Sequence, residues 1–338
     1  MDDRRTAVVA PQVSFIVPVR NDAARLDVCL SSIQKNSTPD HDVEIVVVDN
    51  GSTDESPAVA RRHGATVLSV PHGRVSALRN LGAARARGEI LAFVDADNEI
   101  AAGWVAAALG NFGESEIGAA GALYVPPSDG TWVQQAYGRL RGRSKARQAT
   151  DWLGSGNLAV KRPAFDAVRG FDTTLEACED VDFCLRLRAR GLTLLSDPLM
   201  GSVHHGDPKT LRALFVGELW RGRDNLKVSF RRPVAWAGAP SALMPVVDLL
   251  MLATVLLGVV TLAAGRPSGV LTITSAVAVI GLGAAARTWR ALRAERTDLV
   301  NIGQLYVVVV VYNLARALAV VMKTPHRHAH RAVAAVSS

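Results

Sequence analysis

Three short, mainly apolar runs restrict what this chain can fold into: Val13 to Val19, interrupted by Ser14, Val43 to Val48, interrupted by Glu44, and Ile90 to Val94. A strand covered on one face alternates apolar and polar residues, so a run without alternation reads as a strand buried on both faces. Segments of helical spacing separate the runs. Leu26, Cys29, Leu30 and Ile33 recur after the first, with Asn21 or Asp22 as N-cap, and a helix runs from Asp54 towards His63 after the second. Residues 65–70 form a further short strand and residues 75–88 a further helix. Strands alternating with helices of this size imply a mostly parallel sheet with helices on both faces.

The ends of the runs carry the chemistry. The third stops at Asp95-Ala96-Asp97, and residues two apart in an extended segment point to the same side. Both carboxylates then face one spot at the carboxyl end of a strand, where open α/β sheets bind ligands. Hard divalent cations take oxygen ligands and bridge to phosphates, so the pair suits Mg²⁺ or Mn²⁺ holding a nucleotide diphosphate. The ordinary alternative is a solvated turn with two acids. Asp49 ends the second run ahead of a turn-forming Asn50-Gly51-Ser52, as a local cap or as an acceptor for a ribose or base edge. Arg74 and Arg79 read as solvated cations or as charge-assisted contacts to phosphate.

The length of 338 residues allows two domains, or one domain and an appendage. A net charge of +7 points to nucleic acid, anionic lipid or a diphosphate. No zinc finger, aromatic RNA platform or basic recognition helix accompanies that charge, which sets nucleic acid aside. Cys29, Cys178 and Cys184 form neither an even framework nor a close-paired metal pattern, the usage of a reducing setting. Residues 1–12 are charged and lack the apolar core of a secretory signal.

FIVPVRND, VVVDNGSTDES and ALRNLGAARARGEILAFVDADN, in this order, resemble the nucleotide-diphospho-sugar half of family 2 glycosyltransferases with the GT-A fold. WLGSGNLAVKRPAFDAVRGFD and EACEDVDFCLRLRARG continue the resemblance, with Glu179-Asp180 where that family carries its ED pair. It covers roughly residues 13–206. The chain departs from the pattern at Asn50, where a second aspartate is common, and at Asn98, where a further acid is common. The resemblance implies that Asp49 contacts the nucleoside, that Asp95 and Asp97 hold nucleotide and metal, and that Asp180 is the catalytic base. One base with direct displacement would invert the anomeric centre. From the residues alone, Glu179 and Asp180 sit in the first turn of a helix, where acids are favoured by the macrodipole in any case. Gly154 and Gly156 enter a strand; they form a turn or let the backbone approach the sugar, with Asn157 as donor. His205, after the ED helix, is a further expected metal ligand.

From Pro208 the composition changes. Residues 208–235 form a basic amphipathic segment fit for anionic headgroups, and within it Arg223 weakly resembles a clamp on the diphosphate. Residues 241–265 and 268–286 are each long enough to cross roughly 30 Å of hydrocarbon. The arginines from Arg287 to Arg296 mark a cytoplasmic loop. A third stretch, 302–322, could span with Gln304, Asn313 and Arg316 facing protein. Three spans from a cytoplasmic catalytic domain would put the basic tail 325–338 outside, against the same charge rule.

The expectation is an α/β GT-A domain over 13–207, then the basic segment and membrane helices within 240–324, multi-pass at the cell membrane. The expected partners are a nucleotide sugar, a lipid or glycan acceptor, and the membrane. Polyprenyl-phosphate sugar synthesis is one variant of this reading. A sugar nucleotidyltransferase would be expected to carry a glycine-rich loop that residues 13–21 lack, and a non-catalytic scaffold would not need Asp97 and Asp180.

Overall fold

The computed structural model describes residues 11–38, 41–142, 144–229, 239–293 and 297–322. β1 (Val13–Val19), α1 (Ala23–Gln34), β2 (Val43–Asp49), α2 (Ser56–Arg62), β3 (Thr66–Ser69), α3 (Val75–Arg85) and β4 (Ile90–Val94) alternate as the apolar pattern predicts. Then come β5 (Asn98–Ile100), α4 (Trp104–Asn111), β6 (Ile117–Gly121), β7 (Tyr124–Val125), α5 (Trp132–Arg141) and β8 (Gln148–Ala149). β9 (Asn157–Lys161), α6 (Arg162–Ala167), α7 (Glu179–Arg188), β10 (Thr193–Ser196) and β11 (Ser202–His204) follow. The chain continues as α8 (Leu211–Arg221), α9 (Asn225–Ser229), α10 (Ala239–Ala263), α11 (Ser268–Leu292) and α12 (Leu299–Ala319).

The main sheet has the order β3-β2-β1-β4-β9-β6-β10-β8. The first four strands are parallel, β9 runs antiparallel between β4 and β6, and β8 is an antiparallel edge. Every residue of β1 and β4 is buried, Ser14 included, as strands covered on both faces require. Alternate residues feed two cores: Phe15 and Val17 meet Leu30, Ile33 and Trp104, while Ile16 and Phe93 meet Phe165, Phe171 and Phe183. In the second core Phe171 lies edge-on to Phe93, with ring centres 5.0 Å apart, and 4.5 Å from Phe183. This aromatic chain fixes the start of α7 against the strand that carries Asp95. Aromatic pairs are worth about 0.5–1.5 kcal/mol beyond the area they bury.

The strand ends are tied to one another by side chains. Asn21 sits at φ 52°, in the left-handed region that asparagine tolerates, and its Oδ1 accepts the Thr53 N–H at 2.7 Å. Asp54 accepts the N–H groups of Ala23 and Ser56, each at 3.0 Å, and so serves the starts of both α1 and α2. Asp22 occupies the N-cap of α1 but gives its carboxylate to Arg25 Nε at 2.8 Å. A second sheet has the order β5-β11-β7, and its β5 follows the Asp95-Ala96-Asp97 turn directly.

The chain divides into two units, and not at one point. Residues 126–142 and 176–178 belong with everything from Asp207 onward. The second unit thus includes α5, which opens on a Thr131–Gln134 capping box, and α8 to α12. Three of its helices are long and apolar enough to cross a membrane: Leu243–Ala263, Ser268–Leu292 and Leu299–Ala319. α10 and α11 approach closely at glycines; a Cβ on Gly258 would meet Ile273, and one on Gly269 would meet Leu262. α8 and α9 occupy the front of the basic segment, while Arg231, Arg232 and the tail 325–338 lie outside the described residues. So does all of the segment 1–12 except its last two residues.

Candidate active site

The carboxyl end of β4 gathers the acidic residues. Asp95 leaves the strand with its N–H on the Gly156 carbonyl at 3.1 Å, while its own carbonyl accepts from Asn98 N–H at 3.0 Å. Arg79, from the middle of α3, is 2 % exposed and faces inward. Its Nη2 donates to Asp95 Oδ1 at 2.6 Å and its Nη1 to Glu179 Oε1 at 2.7 Å. One guanidinium therefore joins the end of β4 to the first residue of α7. The sequence reading of Arg79 as a phosphate contact meets a different arrangement: both terminal nitrogens are already engaged by carboxylates.

Asp180, next to Glu179, accepts from the Val181 N–H at 2.8 Å. Burial, with Glu179's charge acting in the same sense, pushes its carboxyl up to about 7, against the Val181 hydrogen bond and the Arg79 charge. Such a group is charged or neutral near physiological pH, the range suited to a proton acceptor. The residue before the pair, Cys178, has φ 60°, a left-handed backbone for a non-glycine residue.

Asp97 is met by histidine. His204 Nε2 stands 3.4 Å from its Oδ1, while the Asp97 carbonyl accepts the His205 N–H at 2.8 Å. Burial acts to raise Asp97, but the charge and hydrogen bond of His204, with Arg25, outweigh it and hold the carboxyl well below the usual range. The imidazole of His205 points elsewhere, to Glu99 Oε2 at 3.0 Å. The small sheet explains the difference. β11 pairs His204 with Asn98 on β5, and successive residues of a strand face opposite ways. Asn98 itself gives its Oδ1 to the Ser202 hydroxyl at 3.1 Å, inside that sheet.

The glycines before β9 lie against side chains. A Cβ on Gly154 would overlap the Tyr124 hydroxyl, and one on Gly156 would stand 2.5 Å from Asp95 Oδ2. Asn157 is wholly buried, and its amide is spent on the core. Oδ1 accepts from Trp104 Nε1 at 2.8 Å, and Nδ2 donates to the carbonyls of Ala122 and Met200 at 3.2 and 2.7 Å. No donor of that amide is left for a sugar. Asp49 is buried at the end of β2, with Oδ1 accepting the Ser52 N–H at 3.1 Å. Arg223 belongs to the second unit and is ion-paired to Glu176 at 2.6 Å, which it would have to exchange for phosphate to act on a donor.

Sequence reasoning missed Tyr124 and His204. The Tyr124 hydroxyl accepts the Gly156 N–H at 3.1 Å, and its ring stacks on His204 with centres 5.3 Å apart. The sequence signal that could have pointed to Tyr124 is the pair of glycines at 154 and 156, where a Cβ would meet its hydroxyl. Together these residues offer carboxylate oxygens, an imidazole and one carboxyl of raised pKa around a single strand end.

Residues 14–166 match the family model "Glycosyl transferase family 2". They are a family 2 glycosyltransferase domain. The glycosyltransferase domain has relatives of known name. A pre-mycofactocin glycosyltransferase of Mycobacterium tuberculosis is 26 % identical over 234 residues, covering 65 % of this chain and 48 % of the relative. A 4,4'-diaponeurosporenoate glycosyltransferase of Staphylococcus aureus is 37 % identical over 92 residues, covering 25 % of this chain and 24 % of the relative. The chain thus spans about half the length or less of these relatives. Among solved structures, a mannosyltransferase from Pyrobaculum calidifontis in complex with GDP-Man and Mn²⁺ superposes with a TM-score of 0.58 at 20 % identity. It covers 90 % of this chain and 86 % of its own. The glycosyltransferase domain has that structure's fold, the GT-A mixed sheet.

Proposed function

We propose that this chain is a membrane-anchored, inverting glycosyltransferase that moves a sugar from a nucleoside-diphosphate donor to a hydroxyl of a lipid, lipid-linked or polysaccharide acceptor. The observation that carries the reading is the convergence of Asp95, Asp97, Glu179 and Asp180 at one strand end of a family 2 domain, with Arg79 bridging two of them. Asp49, at the end of β2, is assigned to the nucleoside, and Asp95 to the donor. Arg79 and Glu179 are assigned to positioning, since each spends its charge on the other.

Asp97 is assigned to a divalent cation, Mg²⁺ or Mn²⁺, with an imidazole of the His204–His205 pair, and the distances favour His204. A carboxylate oxygen beside an imidazole suits such an ion. Gly206 also fits, because a Cβ there would overlap Asp97 Oδ2. Among the described residues no three His, Cys, Asp or Glu side chains are gathered for a metal. Diphosphate oxygens and water would supply the remaining ligands, a usual arrangement for Mg²⁺. When bound, the cation would offset charge on the departing diphosphate.

Asp180 acts as general base. It takes the proton of the acceptor hydroxyl as that oxygen bonds to the anomeric carbon and the bond to the diphosphate breaks. Attack from the face opposite the leaving group inverts the centre. α10 and α11 are assigned as the anchor in the cell membrane, with the catalytic domain on the cytoplasmic side, a reading that Arg287, Arg290 and Arg293 at the end of α11 support.

The test is a panel of sugar nucleotides offered to the full chain with a membrane-lipid extract, with Mg²⁺ or Mn²⁺ and then with chelator. Transfer with inversion, lost in Asp180→Asn and with chelator, supports the reading. Neither binding nor transfer of any donor would overturn it.

A further inference from the structure

α12 has the length and composition of a membrane crossing, but its contacts do not follow that course. Where two helices form an antiparallel hairpin, one descends as the other climbs. α11 and α12 touch at Gly281 and Tyr306 (3.5 Å) and at Arg287 and Asn313 (3.0 Å). Between these contacts both helices advance in the same sense. A side-by-side parallel pair is excluded by the link. Leu299 would then lie beside about residue 274, about 27 Å along the axis from Leu292. A link of this length reaches at most about 25 Å. α12 therefore crosses α11 obliquely, near the end of α11 that carries Arg287.

α12 also packs on α5 and α8. Near its start, Asn301 accepts from Arg139 of α5 at 2.5 Å. Near its end, Arg316 donates to Glu218 of α8 at 2.8 Å and to the Arg221 carbonyl at 3.2 Å. Glu218 is fully buried and also accepts from Tyr137 of α5 at 2.6 Å. Tyr137 and Arg139 are close neighbours on α5, yet Asn301 and Arg316 stand about 22 Å apart along α12. For α12 to cross the bilayer, α5 and α8 would have to follow it into hydrocarbon. Each arginine near the centre would cost about 2.5–3.5 kcal/mol.

We infer that α12 lies in the plane of the membrane interface, seated across the end of the α10–α11 pair, and that the chain crosses the membrane twice. The partner of its open face is the bilayer, at the boundary of headgroups and acyl chains. Leu299 and Val300 are 85 % and 68 % exposed there, and Trp289 on α11 is 70 % exposed beside Arg290, the pairing expected at that depth. The two-crossing arrangement removes the conflict with the basic tail that a third span creates. It rests on the reading of α10 and α11 as spans.

The test uses full chains carrying Cys178→Ser and one new cysteine: Trp132→Cys on α5, Gly265→Cys between α10 and α11, or Val321→Cys after α12. Sealed vesicles are treated with a membrane-impermeant maleimide before and after permeabilisation. Trp132→Cys and Val321→Cys should label from one side, and Gly265→Cys from the other. Val321→Cys labelling together with Gly265→Cys, opposite Trp132→Cys, would overturn the in-plane helix. Labelling of all three from one side would overturn the spans on which it rests. As a check independent of cysteine variants, a fluorescent protein or alkaline phosphatase is fused to either end of the unaltered chain. The same reporter should be active at both ends; different reporters at the two ends would overturn the inference.

Discussion

Arg79 donates to Asp95 at 2.6 Å from inside α3, and the guanidinium is almost entirely shielded from water. Its other terminal nitrogen holds Glu179 at 2.7 Å, so the arginine sets the spacing between β4 and the start of α7. Removing one partner of a buried ion pair leaves the other uncompensated, at a cost of about 3–5 kcal/mol. Asp95 keeps some contact with solvent, which places Arg79→Ala at the low end of that range. Arg79→Lys should recover only part, because an ammonium cannot bridge two carboxylates in a fixed fork. Thermal midpoints of the three proteins read this out; an unchanged midpoint in Arg79→Ala would show that the bridge carries no stability.

Asp180 yields a prediction in pH. Its carboxyl titrates near 7 in the folded protein, above the ordinary aspartate value. As a base it works only when ionised, so transfer should rise with pH through that value and level off above it. Stability runs the other way: a raised folded pKa favours the protonated form, and the contribution is lost as pH rises through about 7. Asp180→Asn should therefore lose about 10²–10⁴-fold in rate while its midpoint at pH 8 is held or raised. Donor affinity, measured separately, should survive. A variant that keeps its rate, or a wild-type profile flat from pH 6 to 8, would remove Asp180 from the role of base.

The legible parts of this fold are those where burial writes a period. β1, β2 and β4 are mainly apolar without strict alternation because both faces are covered over most of their length, and Asp49, Asp95 and Asp97 follow from where those runs stop. The second sheet is not legible. Its strands have two or three residues, too few for alternation to show, and their register decides which histidine meets Asp97. A shift of one residue flips the side chain to the other face, so His205 and His204 cannot be told apart without the pairing to β5. Arg79 is hidden for a related reason. Charge at mid-helix reads as solvated unless the buried face of α3 is known. α12 shows the reverse failing, since length and apolarity alone describe a helix that spans and one that lies flat.

The histidine assignment can be tested directly. His204 stands beside Asp97, whereas His205 is engaged with Glu99. His204→Ala should raise the Mn²⁺ concentration for half-maximal transfer by at least the ~10-fold seen when supporting groups around a metal are lost. His205→Ala should move it little. Asp97→Asn should abolish metal-dependent transfer while the protein stays folded, because the residue sits at a strand end outside the core. Titrations of Mn²⁺ against initial rate separate the cases. A larger shift for His205→Ala would return the ligand to that position.

Gly156 offers a substitution in which one methyl group reaches the site through space alone. Its backbone φ is not in the left-handed range, so alanine brings no dihedral strain, and the cost comes from what the Cβ meets. That atom would stand 2.5 Å from Asp95 Oδ2 and 2.9 Å from the Tyr124 hydroxyl. Both neighbours are held, Asp95 by Arg79 and Tyr124 by the Gly156 N–H and the His204 ring. Asp95 must therefore turn or β9 must shift, and either change moves the carboxylate assigned to the donor. Gly156→Ala should weaken donor binding and destabilise the fold by about 1–3 kcal/mol, the usual cost of overpacking, which lowers the thermal midpoint. Gly110, inside α4 with nothing within 4 Å of its Cβ position, is the control. Gly110→Ala should leave donor binding unchanged and stabilise by about 0.5–1 kcal/mol through helix propensity. Isothermal titration of the nucleotide sugar and thermal midpoints of both variants decide it. Donor affinity equal to wild type in Gly156→Ala would mean that Asp95 is free to move without consequence, and its assignment to the donor would fall.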